Sequence, residues 1–187
     1  MLWVKMSACS LIMLVGIRLS LAVPSTQNDH IVKDFKARVA RYLDFRKNEA
    51  GSAPGRTDSP DKLAHNQQGL AIEVQSLRSD AKQGDIFTPE ISDYFRRQIT
   101  SILRGPEGAK IRISLQNAEP VRLTLRVNDV YPQEIPLQST PPSLLSNLPE
   151  LPKELEYRIV GRTLVLLDIV PNIVVDLLPN ALPESGK

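Results

Sequence analysis

The sequence predicts an α+β fold: about three N-terminal helices packed on a small antiparallel sheet at the C-terminus. Three observations carry this. Between Ile31 and Leu103 the apolar residues recur three and four apart, the period of helices with one buried face. From Val121 onward they alternate with polar residues, the period of strands. The 15 prolines cluster in the second half, where they would break helices but can punctuate strands.

The first helix is expected from about Asn28 to Asn48. Ile31, Phe35, Val39, Tyr42 and Leu43 form its stripe, with Lys33, Lys36, Arg38, Arg41 and Asp44 outside. Thr26 and Asp29 have capping-box spacing, and Gly51 ends the helix. The stretch GSAPGRTDSP, residues 51–60, reads as a polar linker. In the second helix Ser59 caps, Pro60 takes the first position and Asp61 suits the positive end. Leu63, Leu70, Val74, Leu77 and Ala81 carry it toward Gly84, antiparallel to the first. The third lies in DIFTPEISDYFRRQITSILRGP, capped by Thr88, with Ile91, Phe95, Ile99, Ile102 and Leu103 on its apolar face. Gly105-Pro106 stops it.

Residues 107–117 fit either a strand, by alternation of Ile111, Ile113 and Leu115, or a short helix. Residues 121–127 alternate more regularly and are a candidate strand. Tyr131 to Pro152 reads as a proline-rich connector with a helical turn or two in Pro142–Leu148. The tail is a three-stranded meander over 155–178. Gly161-Arg162 suits a II′ turn, residues 169–172 form a four-residue loop, and Pro179 ends the pairing. No uncharged run in it is long enough for a membrane span.

Loop lengths set a register in which Tyr157 opposes Leu166, Asp168 opposes Ile173 and Leu166 opposes Val175. Tyr157, Ile159, Leu164, Leu166, Ile173, Val175 and Leu177 then face the helices. The other face carries Glu156, Arg158, Thr163 and Asp176 with Val160, Val165, Leu167, Val174 and Leu178. It is too apolar to be wholly wet. Either the connector covers it or it is a docking surface. In this register Arg158 and Asp176 flank Val165 in one row, as a polar lid.

Residues 1–22 read as a signal peptide. Lys5 precedes an apolar run of about 12 residues, Met6–Ile17, too short for a bilayer of about 30 Å. Ser20 and Ala22 give the small–x–small spacing before a cut at Val23. Cleavage would remove Cys9, the one cysteine, and with it disulfide and thiol chemistry. Residues 23–187 then form a single domain of about 165 residues, helical over 27–105 and β and proline-rich over 106–183. The whole chain has 23 basic and 21 acidic residues. Removal of Lys5 and Arg18 makes the totals equal, so no nucleic-acid partner is implied.

The two histidines, His30 and His65, sit in ordinary helical contexts. Asp29, His30 and Asp34 are too few ligands for a metal site. No nucleophile elbow, zinc-protease or phosphate-loop motif occurs, so no catalytic, metal or cofactor residue is assigned. The candidate interaction surface comprises Arg96, Arg97 and Arg104 on the third helix, with Arg158, Val160, Val165, Leu167 and Asp176 on the outer sheet face.

Three stretches carry a resemblance: QGDIFTPE, the segment from LRVNDVYP to LEYRIVGRTLVLLD, and NIVVDLLPNALP. Together they resemble a group of exported bacterial proteins, common in acidobacterial genomes, of unassigned function. The likeness covers most of the mature chain and implies export. The final hairpin is also similar to those of small periplasmic proteins linked to nickel and cobalt homeostasis, but it lacks their histidines. The expected function is that of an exported, periplasmic or secreted, non-enzymatic binding or protein-interaction protein whose partner is another envelope protein. The alternative is a small exported hydrolase whose serine, histidine and carboxylate come from distant positions.

Overall fold

The computed structural model describes residues 25–51, 59–117, 123–132 and 141–184. The signal segment 1–22, most of the linker, the start of the 121–127 candidate strand and residues 133–140 of the connector lie outside them.

The stripe from Ile31 to Leu43 forms helix α1, Ser25–Phe45, and continues into a π turn, Arg46–Ala50. The helix starts before Thr26, so the expected capping box is not its start. Gly51 closes the turn at a φ of 98°, which glycine adopts without a steric penalty. Helix α2 is Pro60–Leu77, and the Ser59 hydroxyl accepts from the Lys62 amide as expected. It ends short of Gly84, and its buried side is Leu70, Ala71 and Val74, with Leu63 and Leu77 exposed. The expected stripe was therefore rotated. α2 packs on the π turn and α1 on α3, so α1 and α2 are not the expected antiparallel pair.

Helix α3, Pro89–Arg104, has Thr88 as its cap and buries Ile91, Phe95, Ile99 and Leu103. Residues 107–117 resolve as helix α4, Gly108–Asn117. A β-carbon at Gly108 would lie 2.0 Å from the Leu103 carbonyl oxygen, so α4 folds back on α3 only with glycine there. A short α5, Pro142–Leu145, precedes strands β1 (Leu155–Val160), β2 (Thr163–Asp168) and β3 (Ile173–Leu178). The sheet is antiparallel in the order β1-β2-β3. The fold is α+β with the helices N-terminal to the sheet.

The first hairpin has the expected register: Val160 opposes Thr163 and Tyr157 opposes Leu166. Gly161 takes a φ of 60°, as the first central residue of a II′ turn must. The second starts as expected, with Asp168 opposite Ile173, then shifts. Leu167 pairs with Val174 and Leu166 with Asp176, so Val175 is the extra residue of a bulge. Beyond it, sidedness inverts. Leu178, not Leu177, joins the core between helices and sheet, and Leu177 joins the outer cluster.

Residues 123–127 are not a strand. The pairing falls one step later, against the free edge of β3. Asn128 N–H donates to the Val174 carbonyl at 2.8 Å, Val174 N–H to Asp129 at 2.9 Å, and Tyr131 N–H to Asn172 at 2.8 Å. The segment thereby lays Leu123, Leu125, Val127 and Tyr131 over Val160, Val165, Leu167, Val174 and Leu177. The helix-facing core centres on Phe95, with ring centroids 5.0 Å from Phe35, 5.2 Å from Phe87 and 5.9 Å from Tyr157. Edge-on aromatic pairs of this kind add about 0.5–1.5 kcal/mol each beyond burial.

Candidate functional site

Two carboxylates of the tail, Asp168 and Asp176, are sunk in the core. Asp168 ends β2 on the helix-facing side, because it continues the alternation of Leu164 and Leu166. Arg46 meets it from the π turn; the side chains are 0% and 1% exposed. Arg46 Nε stands 3.1 Å from Asp168 Oδ2, but its N–H is not aligned on that oxygen. This is a charge contact more than a hydrogen bond. The Tyr42 hydroxyl donates to Oδ2 at 2.8 Å and Val170 N–H to Oδ1 at 3.0 Å. The Arg78 guanidinium lies 4.9 Å over the Tyr42 ring, and its Nη2 donates to the Val175 carbonyl. Burial pushes the Asp168 carboxyl up, opposed by the Arg46 charge and the Tyr42 donor. Burial, then the Asp168 charge, pushes the Tyr42 hydroxyl far above its ordinary range. The residue types would serve acid–base chemistry, but no substrate reaches groups so enclosed. What they do is clamp the tail to α1.

Asp176 is the second. The bulge turns its carboxylate inward, onto the loop before α3. Gly84 N–H donates to Oδ1 at 3.0 Å, Ile86 to Oδ2 at 2.8 Å and Phe87 to Oδ2 at 2.7 Å. Its neighbour Leu177 N–H donates to Oδ1 at 2.7 Å. Burial pushes this carboxyl up too, with the backbone donors opposing. QGDIFTPE and NIVVDLLPNALP thus meet at one carboxylate.

These positions correct the expected interaction surface. Val160, Val165 and Leu167 are core residues under the 123–131 segment. Asp176 is on the helix side and Arg158 on the other, so they form no lid. Arg158 lies 4.8 Å over the Tyr131 ring and pairs with Glu156. Arg96 is bound to Asp93 and to the Pro179 carbonyl, while Arg97 and Arg104 are exposed on α3. The sheet separates them from Arg158. His30 and His65 are exposed. Among the described residues, no three His, Cys, Asp or Glu side chains are placed to hold a metal. No helix there is long and apolar enough to cross a membrane.

Three surface concavities among the described residues bear on function. The smallest, about 240 Å³, lies between α1 and residues 150–152. The largest of these, about 470 Å³, runs between α2 and residues 130–132. No charged residue lines it; Ile72 and Val130 rise on its walls, 59% and 45% exposed. Amide brackets fix its width. Gln75 Nε2 donates to the Asn128 carbonyl, and Asn128 Nδ2 returns the bond to the carbonyls of Gln75 and Arg78. Gln67 Nε2 donates to the Val170 carbonyl and Asn172 Nδ2 to that of Tyr131. Asn128 and Asn172 hold φ values of 73° and 57°, a region asparagine tolerates better than most residues. The second concavity, about 330 Å³, lies where α3, α4, the β1–β2 turn and the tail converge.

Sequence reasoning missed Arg46, although it stands where the α1 stripe of Tyr42 and Leu43 next turns inward. It missed the groove because α2 was rotated. Comparison of the chain with protein-family models, curated proteins and solved structures finds no match.

Proposed function

We propose that the protein is an exported, non-enzymatic interaction protein that docks an uncharged, extended segment of another envelope protein along α2. The observation that carries this is the uncharged groove with Ile72 and Val130 exposed on its two walls. Exposed apolar side chains gathered at a concavity mark binding surfaces more often than scattered ones do. Leu63 and Ile169, also exposed, extend the apolar character at one end, where Gln67 bonds the Ile169 carbonyl. The amide brackets hold the walls apart before any partner arrives, which lowers the ordering cost of binding. The acid–base groups support binding over hydrolysis, because they serve to fasten the tail. Export rests on residues 1–22 and predicts a mature chain that begins at Val23.

The test is affinity capture from an envelope extract, with Ile72→Glu and Val130→Glu as variants. Both residues are exposed, so the variants should melt within about 0.5 kcal/mol of the parent. Each should lose the captured protein, and Arg97→Glu should retain it. Equal capture by all four chains would refute the groove. Recovery of an intact Met1 form from the membrane would refute cleavage.

A further inference from the structure

The second concavity carries a separate inference. Its lining is split by chemistry. Leu103, Leu115 and Leu182 supply apolar surface, and Arg112 and Arg162 supply charge. Two constraints bring the guanidiniums to one pocket. Gly108 lets α4 lie against the end of α3, and Arg112 Nη1 then donates to the Leu103 carbonyl. Arg162 follows Gly161 in the β1–β2 turn, and its Nε donates to the Leu182 carbonyl at 3.1 Å. The Leu182 N–H donates back to the Arg162 carbonyl at 3.2 Å, so turn and tail hold each other. Each guanidinium is oriented by one main-chain acceptor, and with five N–H donors on each it can take an anion as well.

The chain itself shows which anion fits. The Glu184 carboxylate, in the tail beyond Leu182, accepts from Arg162 Nη1 at 3.1 Å. Glu184 is almost fully exposed and is held by this contact alone among the described residues. A carboxylate at this point is therefore compatible with the pocket and weakly retained. From these features we infer that the pocket binds a monocarboxylate bearing an aliphatic body. Its head would replace Glu184 on Arg162 and take a second contact from Arg112 across the pocket, and its chain would lie on Leu103, Leu115 and Leu182. Arginine suits this role because its planar fork binds carboxylates through paired hydrogen bonds. The volume is within the range of small-molecule sites, about 300–1,000 Å³. This site shares no lining residue with the α2 groove.

Calorimetric titration of the full chain with octanoate, octanamide and inorganic phosphate tests the inference. Octanoate should bind, and octanamide and phosphate should each bind at least about tenfold more weakly, since one lacks the charge and the other the chain. Arg112→Gln should weaken octanoate about tenfold by loss of a charge-assisted contact. Arg162→Gln should do the same; because it also ties the tail, its melting curve is read alongside. Glu184→Gln should tighten octanoate by up to about fivefold, as removal of an exposed competing pair allows. In methyl spectra the signals of Leu103 and Leu115 should shift on addition. Octanamide binding as tightly as octanoate, phosphate binding as tightly as octanoate, unchanged affinity in Arg112→Gln, or shifts confined to other methyls would each overturn the assignment.

Discussion

Asp168 and Asp176 lie on neighbouring strands, and both are fully buried on the helix side of the sheet, yet they are neutralised in different ways. Asp168 faces a guanidinium, a phenol and one backbone amide. Asp176 faces four backbone amides and, among the described residues, no cation. The difference teaches what each carboxylate is for. Two of the three partners of Asp168 are side chains, and its charge pair with Arg46 is one that an apolar pair of similar size can replace. The partners of Asp176 are main-chain donors that no side-chain exchange short of proline removes, so the loop from Gly84 to Phe87 depends on that one side chain.

The sharpest test of the contrast is Asp176→Ala. It leaves three buried N–H groups without an acceptor, at about 1–3 kcal/mol each, and a half-buried fourth at Gly84. A loss of at least about 4 kcal/mol is expected, enough to unfold a domain of ordinary stability. Urea melts showing a loss under about 2 kcal/mol would mean that the loop finds other acceptors.

Arg46→Ala should cost about 3–5 kcal/mol, because it strands the Asp168 charge in the core. The double variant Arg46→Met with Asp168→Leu should recover most of that, since no charge is then left in the core. No paired substitution should rescue Asp176→Ala in this way. A double variant as unstable as Arg46→Ala would remove the distinction between the two sites.

Alkali separates them more gently. An unfolded tyrosine ionises near pH 10. Burial holds the Tyr42 and Tyr157 hydroxyls neutral well above that. Their stabilising contribution is complete below about pH 10 and is lost as pH rises toward the folded-state values, at up to about 1.4 kcal/mol per pH unit for each. Tyr42 belongs to the Asp168 cluster, whereas Tyr157 donates to the Pro149 carbonyl and serves as the reference. Denaturant melts between about pH 9 and pH 11 should show a slope that Tyr42→Phe reduces by about half. An unchanged slope would mean that Tyr42 ionises in place.

How much of this the sequence discloses depends on whether the cause is local. Caps and turns are local: Ser59, Thr88 and the Gly161 turn are where spacing and residue type put them. The helix-facing residues before the bulge follow from alternation. Arg46 and Asp168 were also within reach, since each occupies the next inward position of a stripe that otherwise reads as apolar. Two opposite charges at two such positions imply a pair. The bulge at Val175 is different. It exists because distant amides at Gly84, Ile86 and Phe87 reward an inward carboxylate, and nothing near Asp176 announces them. The rotation of α2 is non-local too: Ile173 and the π turn select its Leu70, Ala71 and Val74 side over the near-heptad reading. The groove, which depends on that rotation, was hidden for the same reason.

The smallest expected effect tests the bulge itself. Arg158 and Asp176 were expected to share the outer face and to act together across Val165. With Val175 extra, Asp176 turns to the loop before α3 and Arg158 stays outside, stacked on Tyr131 and paired with Glu156. Arg158→Ala should then cost about 0.5–1 kcal/mol, the worth of a partly exposed cation–π contact, with no carboxylate left unpartnered in the core. The informative quantity is its coupling to Asp176. In a cycle built from Arg158→Ala and Asp176→Asn, side chains on opposite faces with no shared partner should add to within about 0.5 kcal/mol. Asparagine keeps one acceptor oxygen, so the Asp176 arm of the cycle remains measurable. A coupling above about 1 kcal/mol would place both side chains on one face and restore the unbulged register. Additivity would leave Asp176 committed to the Gly84–Phe87 loop, and Arg158 to holding the 123–131 segment over Val165 and Leu167.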